Sequence, residues 1–146
     1  MKLLTGRVPM PRFVWIAVVL EVLTAALAIP VGLMFITDPS GSSMGIEGWL
    51  DGTIFGDFLV PGLYLFAVNG VGMLVLALLT VMRRPIAPWL TGALGIGLII
   101  WISVQLILIS QTMFLQPTFF AVGLVLGFVA LFWLLRLRRE HALAGA

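Results

Sequence analysis

The chain has 146 residues, of which 62% are hydrophobic and only 10% charged, with a formal net charge of +2. Soluble domains are about half apolar and a quarter charged, so this composition excludes an ordinary soluble domain and predicts an integral membrane protein. The lack of cysteine excludes disulfides, thiolate metal sites and thiol catalysis; the single histidine, His141, argues against an imidazole metal site; and eight scattered basic residues do not make a nucleic-acid surface.

Residues 1–12, with Pro9 and Pro11, read as an irregular lead-in. The first apolar run spans 13–36 and carries Glu21, a small-residue line at Thr24, Ala28 and Gly32, and a tolerated Pro30. A secretory signal with cleavage after Ala28 is the rival reading. The run is too long for a signal core, and Glu21 would lie inside that core. An outer loop, 37–57, opens on the turn-forming "TDPSGSS". Within it, Ile46, Trp49, Leu50 and Ile54 recur at helical spacing. This predicts either a short amphipathic helix with Trp49 at headgroup depth or an irregular loop anchored by Trp49.

The second run spans 58–82 and contains Asn69. "RRPIAP" joins it to a third run at 88–110, which contains Gly92, Gly95, Gly97, Ser103 and Gln105. "QTMFLQP" leads to the fourth run, 118–135, where Gly123 and Gly127 form a GxxxG suited either to packing within the bundle or to a homodimer. Each run is about the 17–25 residues that a membrane-crossing helix needs. None alternates as barrel strands do. Short connections favour antiparallel neighbours, so the prediction is a single all-α domain: a four-helix transmembrane bundle running up-down-up-down.

The charges orient it. Lys2, Arg7 and Arg12 precede the first span, Arg83 and Arg84 separate the second and third, and Arg136, Arg138 and Arg139 follow the fourth. All eight share one side if the helices alternate, which places both termini in the cytoplasm. Trp15, Trp89 and Trp133 then fall near the cytoplasmic interface, where an aromatic belt is expected.

Polar residues inside the spans are the chemical signal. At 1.5 Å per residue, Glu21 lies about 12 Å from the cytoplasmic end, Asn69 about 20 Å and Gln105 about 25 Å, with Ser103 nearby and Gln111 extending the series outward. An acidic residue at a helix centre costs about 2.5–3.5 kcal/mol to insert. No Lys or Arg lies within any span, so Glu21 must be protonated, hydrated or hydrogen-bonded, with Asn69 or a nearby carbonyl as the expected partner. A second candidate is the outer acidic face of Asp38, Glu47, Asp51 and Asp57, whose spacing matches no cation-binding loop. No nucleophile elbow, phosphate loop, zincin or dinucleotide motif is present.

At "DPSG" (Asp38 to Gly41) and "FGDFLVPGLYLFAVNGVG" (Phe55 to Gly72) the chain resembles small uncharacterised bacterial four-helix membrane proteins, and more loosely the DoxX-like group. The resemblance implies a bacterial inner-membrane location and, for some of that group, redox or quinone-related roles. It supplies no catalytic or cofactor-binding residue here. Three functions follow as expectations. Composition favours an accessory or structural protein that binds itself, lipids or a membrane-protein partner. The alternatives are a small-molecule or proton pathway through Glu21, Asn69 and Gln105, and a lipid- or quinone-binding protein. The missing histidines and cysteines count against catalysis. Convergence of the three polar residues on one cavity is what separates these readings.

Overall fold

The computed structural model describes residues 6–109 and 114–145; Lys2, Ser110 and Gln111 lie outside them. Four helices are long and apolar enough to cross a membrane: α1 (Val14–Thr37), α2 (Leu59–Val81), α3 (Ala87–Leu108) and α4 (Leu115–Ala144). Each packs on its neighbours in chain order, and α4 returns to touch α1.

Side-chain size decides which faces meet. On α1 the buried residues Val14, Ala17, Val18, Glu21, Thr24, Ala25, Ala28 and Gly32 follow a three-to-four-residue repeat. Larger side chains such as Trp15, Val19, Leu23 and Leu27 point outward and are about half exposed. This pattern suits a bundle whose solvent is lipid, where helices associate through close packing rather than exclusion from water. The tightest approach is between α1 and α2: a Cβ placed on Gly32 would come within 2.7 Å of the Phe66 nitrogen, and one on Gly62 within 2.6 Å of Phe35 Cβ. The α3–α4 seam is similar, since a Cβ on Gly123 would lie 2.8 Å from the Gly95 carbonyl oxygen. A Cβ on Gly127 would meet nothing within 4 Å among the described residues, although its backbone nitrogen lies against Gly95, so the two halves of the GxxxG have different surroundings.

The middle of α2, Leu65–Gly72, is wound as a π-helix. Pairing each carbonyl five residues ahead instead of four widens the turn. Asn69 and Gly70 are the buried residues of this stretch. Gly70 lets it lie against Ile29 of α1, where a Cβ would come within 2.8 Å of Ile29 Cγ1.

Two predicted boundaries differ. Helix α4 begins at Leu115 and runs to Ala144, well past the end of its apolar run at Leu135. Leu, Arg, Glu and Ala are strong helix formers, and Arg136 pairs with Glu140 one turn on, at 3.3 Å. Trp133 is fully buried instead of sitting in an interfacial belt, whereas Trp15 and Trp89 are half exposed. Its Nε1–H donates to the Pro9 carbonyl at 2.8 Å, and the Val8 N–H donates to the Arg83 carbonyl at 2.9 Å. The lead-in is thereby tied across one end of the bundle, with Val8 and Met10 packed on the core. At that end α2 stops on Arg83, which adopts φ 58°. Arg83 N–H bonds Thr80 O and Arg84 N–H bonds Leu79 O, the pair of reversed bonds that closes a helix, with arginine where glycine is usual.

The opposite end is closed by the outer loop. Of the two expected alternatives the irregular loop forms and the amphipathic helix does not: the described residues make successive turns and one 3₁₀ turn, Ser42–Met44, with Trp49 packed on the buried cluster beneath. Gly41, Gly45, Gly48, Gly52 and Gly56 all take positive φ, which no α-helix accommodates. Ile46, Leu50 and Phe58 are buried together, with Phe35, Trp49, Phe55 and Ile109 packed around them. Phe35 and Phe58 stack at 4.7 Å. Ile54, expected on the apolar face, is 84% exposed.

Candidate functional site

Apart from Ser103, the candidate polar residues of the spans fall into two groups. Nearer the basic end, Glu21 is fully buried. Its partner is neither Asn69 nor a carbonyl: the Thr91 hydroxyl of α3 donates to Oε1 at 3.1 Å. Thr80 of α2 lies beside the same carboxyl. Glu21 Oε2 and Thr80 Oγ1 are buried without a hydrogen-bond partner, and among the described residues no basic side chain pairs with Glu21. Three helices thus converge on one carboxyl, which is the geometry of a polar tie between helices. Glu21→Gln should preserve it, because the amide oxygen can still accept from Thr91 while its N–H₂ offers Thr80 a donor. Glu21→Leu should cost about 0.6 kcal/mol, the average for an intramembrane hydrogen bond. Thermal unfolding in mild detergent reads both, and a Leu variant that fails to fold would contradict the assignment.

The second group lines a cavity of about 270 Å³ between the four helices and the outer loop. Its walls are mostly apolar: Leu27 and Val31 from α1, Leu65 from α2, Leu98 and Ile102 from α3, Phe119 from α4, and Ile46, Trp49 and Leu50 from the loop. Set into them are Thr24, Asn69, Trp101, Gln105 and Gln116. Asn69 is 1% exposed, and neither its Oδ1 nor its Nδ2 has a partner among the described residues. The Trp101 Nε1–H is also buried and unpaired, its ring stacked on Tyr64 at 4.4 Å. An unmade hydrogen bond on a buried polar group costs about 1–3 kcal/mol, so two such side chains in one cavity call for an occupant. The π-wound stretch carries Asn69 to this wall, and π segments recur at functional sites.

Asn69 and Gln105 therefore share a cavity that Glu21 does not line; Thr24, one turn further along α1, does. Ser103 belongs to neither group, since its hydroxyl donates to the Ile99 carbonyl of its own helix at 2.8 Å. Thr80, Thr91, Trp101 and Gln116 escaped the sequence reading. Threonine and tryptophan pass unnoticed in apolar runs, and Gln116 lies just before the expected start of the fourth span.

The outer acidic residues have separate roles. Asp38 accepts from the Ser40 hydroxyl, from the Ser43 N–H at 2.8 Å and from the Ser42 hydroxyl at 3.0 Å. These donors, Ser40 foremost, hold its carboxyl well below the usual carboxylate range. Asp57 accepts the Leu59 N–H at 2.9 Å where α2 begins. Glu47, Asp51 and Asp57 border a groove on the outside of the loop. Among the described residues no three His, Cys, Asp or Glu side chains are grouped to hold a metal ion. Because the folded-state pKa of Asp38 is depressed, its contribution is complete above the unfolded carboxylate value of about 3.9 and is lost as pH falls below that. Hydrogen exchange across residues 40–58 should therefore show the same protection pattern at pH 5 and pH 8 after correction for intrinsic rates, and Asp38→Ala should speed it at both.

Fold and site together define a helical, multi-pass membrane protein with a loop-covered apolar cavity and a separate buried carboxyl. No protein-family model matches the chain, and no curated protein or solved structure matches it.

Proposed function

We propose that the protein binds an apolar small molecule of the membrane in the cavity beneath its outer loop. The observation that carries this reading is Asn69: a carboxamide in the wall of a mostly apolar chamber, with both polar atoms unpaired among the described residues. An apolar cavity of roughly 150 Å³ admits benzene, so about 270 Å³ is ample for a substituted ring or part of a lipid chain. This is the lipid- or quinone-binding function among the three expected from sequence. A pathway through Glu21 is less well supported, because Glu21 is hydrogen-bonded to Thr91 and does not line the cavity. A photoreactive fatty alcohol bearing a diazirine tests the proposal. Crosslinks should map to residues 98–105 and to the loop, and Val104→Trp, which fills the cavity, should remove them. Labelling confined to the outward faces of the helices would refute it.

In this reading the bundle runs up-down-up-down in a bacterial inner membrane, with its basic end in the cytoplasm and the cavity in the outer half. The support is that all eight basic residues then share one side. The chain lacks cysteine, so single cysteines report cleanly. Ile54→Cys should react with an impermeant maleimide in intact, wall-stripped cells, and Leu143→Cys only after lysis; the reverse pattern would invert the topology. Docking to a second copy or another membrane protein is the second reading, and its foothold is α4. Gly123 is taken up by Gly95 within the chain, whereas the Cβ direction of Gly127 meets nothing within 4 Å among the described residues.

A further inference from the structure

We infer that the cavity's ligand is an uncharged lipid whose head carries a hydroxyl, as in a fatty alcohol or a monoacylglycerol. This rests on the reading of the cavity as a ligand site and narrows it by the chemistry of the unpaired groups. Among the described lining residues there is no Asp, Glu, Lys, Arg or His. A charged head would stand there without a counter-ion in a low-dielectric chamber, which is strongly disfavoured. The head is therefore neutral.

The unpaired atoms set its hydrogen-bonding pattern. Trp101 Nε1–H can only donate, and so can Asn69 Nδ2, so the ligand must supply acceptors. Asn69 Oδ1 can only accept, so the ligand must also supply a donor. A hydrocarbon satisfies none of them. A quinone or simple ester answers the donors and leaves Oδ1 unpaired. A hydroxyl, with one donor and two acceptor lone pairs, answers all three, and an attached acyl or alkyl chain suits walls made by residues such as Leu27, Val31, Leu98 and Ile102.

The test uses the full chain in lipid nanodiscs, with ¹⁵N on the tryptophan indoles and ¹³C on Leu and Ile methyls. The Trp101 indole signal is identified by its loss in Trp101→Phe. The probes are 1-monolauroylglycerol, dodecane, a decyl-substituted benzoquinone, and laurate at pH 8. Monolauroylglycerol should shift the Trp101 indole N–H and the Leu98 and Ile102 methyls together. Its binding should weaken about tenfold in Asn69→Leu, the size expected for losing one or two hydrogen bonds to a buried group. Trp101→Phe, which keeps an aromatic ring but removes the indole donor, guards against a variant that merely misfolds: it should keep the unbound methyl spectrum yet also bind more weakly. Equal binding of the quinone or of laurate would overturn the inferred head group. Dodecane binding as tightly, with no Asn69 dependence, would overturn it too while leaving the apolar cavity as a ligand site. If no probe moves the methyls, both the inference and the cavity reading fail.

Discussion

Gly32→Leu is expected to drive α1 and α2 apart and to cost at least the upper end of the roughly 1–3 kcal/mol typical of overpacking. The atoms in the way are the nitrogen, Cα and Cβ of Phe66, at 2.7, 2.9 and 2.8 Å from a Cβ built on Gly32. Two of them are backbone, so no rotamer change relieves the clash; the helix itself must shift. That helix segment is the π-wound stretch that holds Asn69, so the same change should also empty the cavity of ligand. Gly127→Leu is the matched control. A Cβ there meets nothing within 4 Å among the described residues, and the variant should unfold at the wild-type temperature. Thermal unfolding of the two variants in one detergent compares them directly. A Gly32→Leu protein as stable as Gly127→Leu would mean that the two helices do not approach this closely.

Trp133→Ala is expected to be comparably damaging. Removing a buried Trp typically costs about 3–5 kcal/mol in water-soluble cores, through lost contacts and the cavity left behind. Trp133 is fully buried, and it also holds the lead-in through the Pro9 carbonyl. Trp133→Phe separates these effects. It keeps most of the packing but not the hydrogen bond, so it should lose about 1 kcal/mol while freeing residues 6–12. Proteolysis near Arg7 and Arg12 should then speed up in Phe and Ala variants alike. Unchanged cleavage in both would show that the lead-in is held by something other than this tryptophan.

The spans were legible because lipid-facing helices must be apolar over a fixed length, and that needs no knowledge of the fold. What the spans do to one another was less legible. Gly123 stood out in its GxxxG, but whether it faces α3 or a second chain depends on helix rotation, which small residues alone do not set. In the outer loop, Ile46 and Leu50 were rightly marked as apolar-side residues, yet for a helix that five positive-φ glycines prevent. Ile54 fitted the same spacing and points outward, because the spacing had lost its geometric meaning. Glu21 was singled out by its insertion cost. Its partner Thr91 lies 70 residues away, and no local pattern links the two. Asn69 could be read as polar and deep, but not as unpaired beside an apolar chamber, since that depends on a π-wound segment for which only the nearby glycines hint.

The central claim is that the chamber under the outer loop holds an apolar molecule. Native mass spectrometry of the intact protein, purified from its own membrane in mild detergent, tests it most directly. One adduct per chain is expected, stripped by organic extraction and absent from a Val104→Trp variant that unfolds at the wild-type temperature. A wild-type protein that flies at its bare mass, or an adduct that survives in the filled-cavity variant, would contradict it.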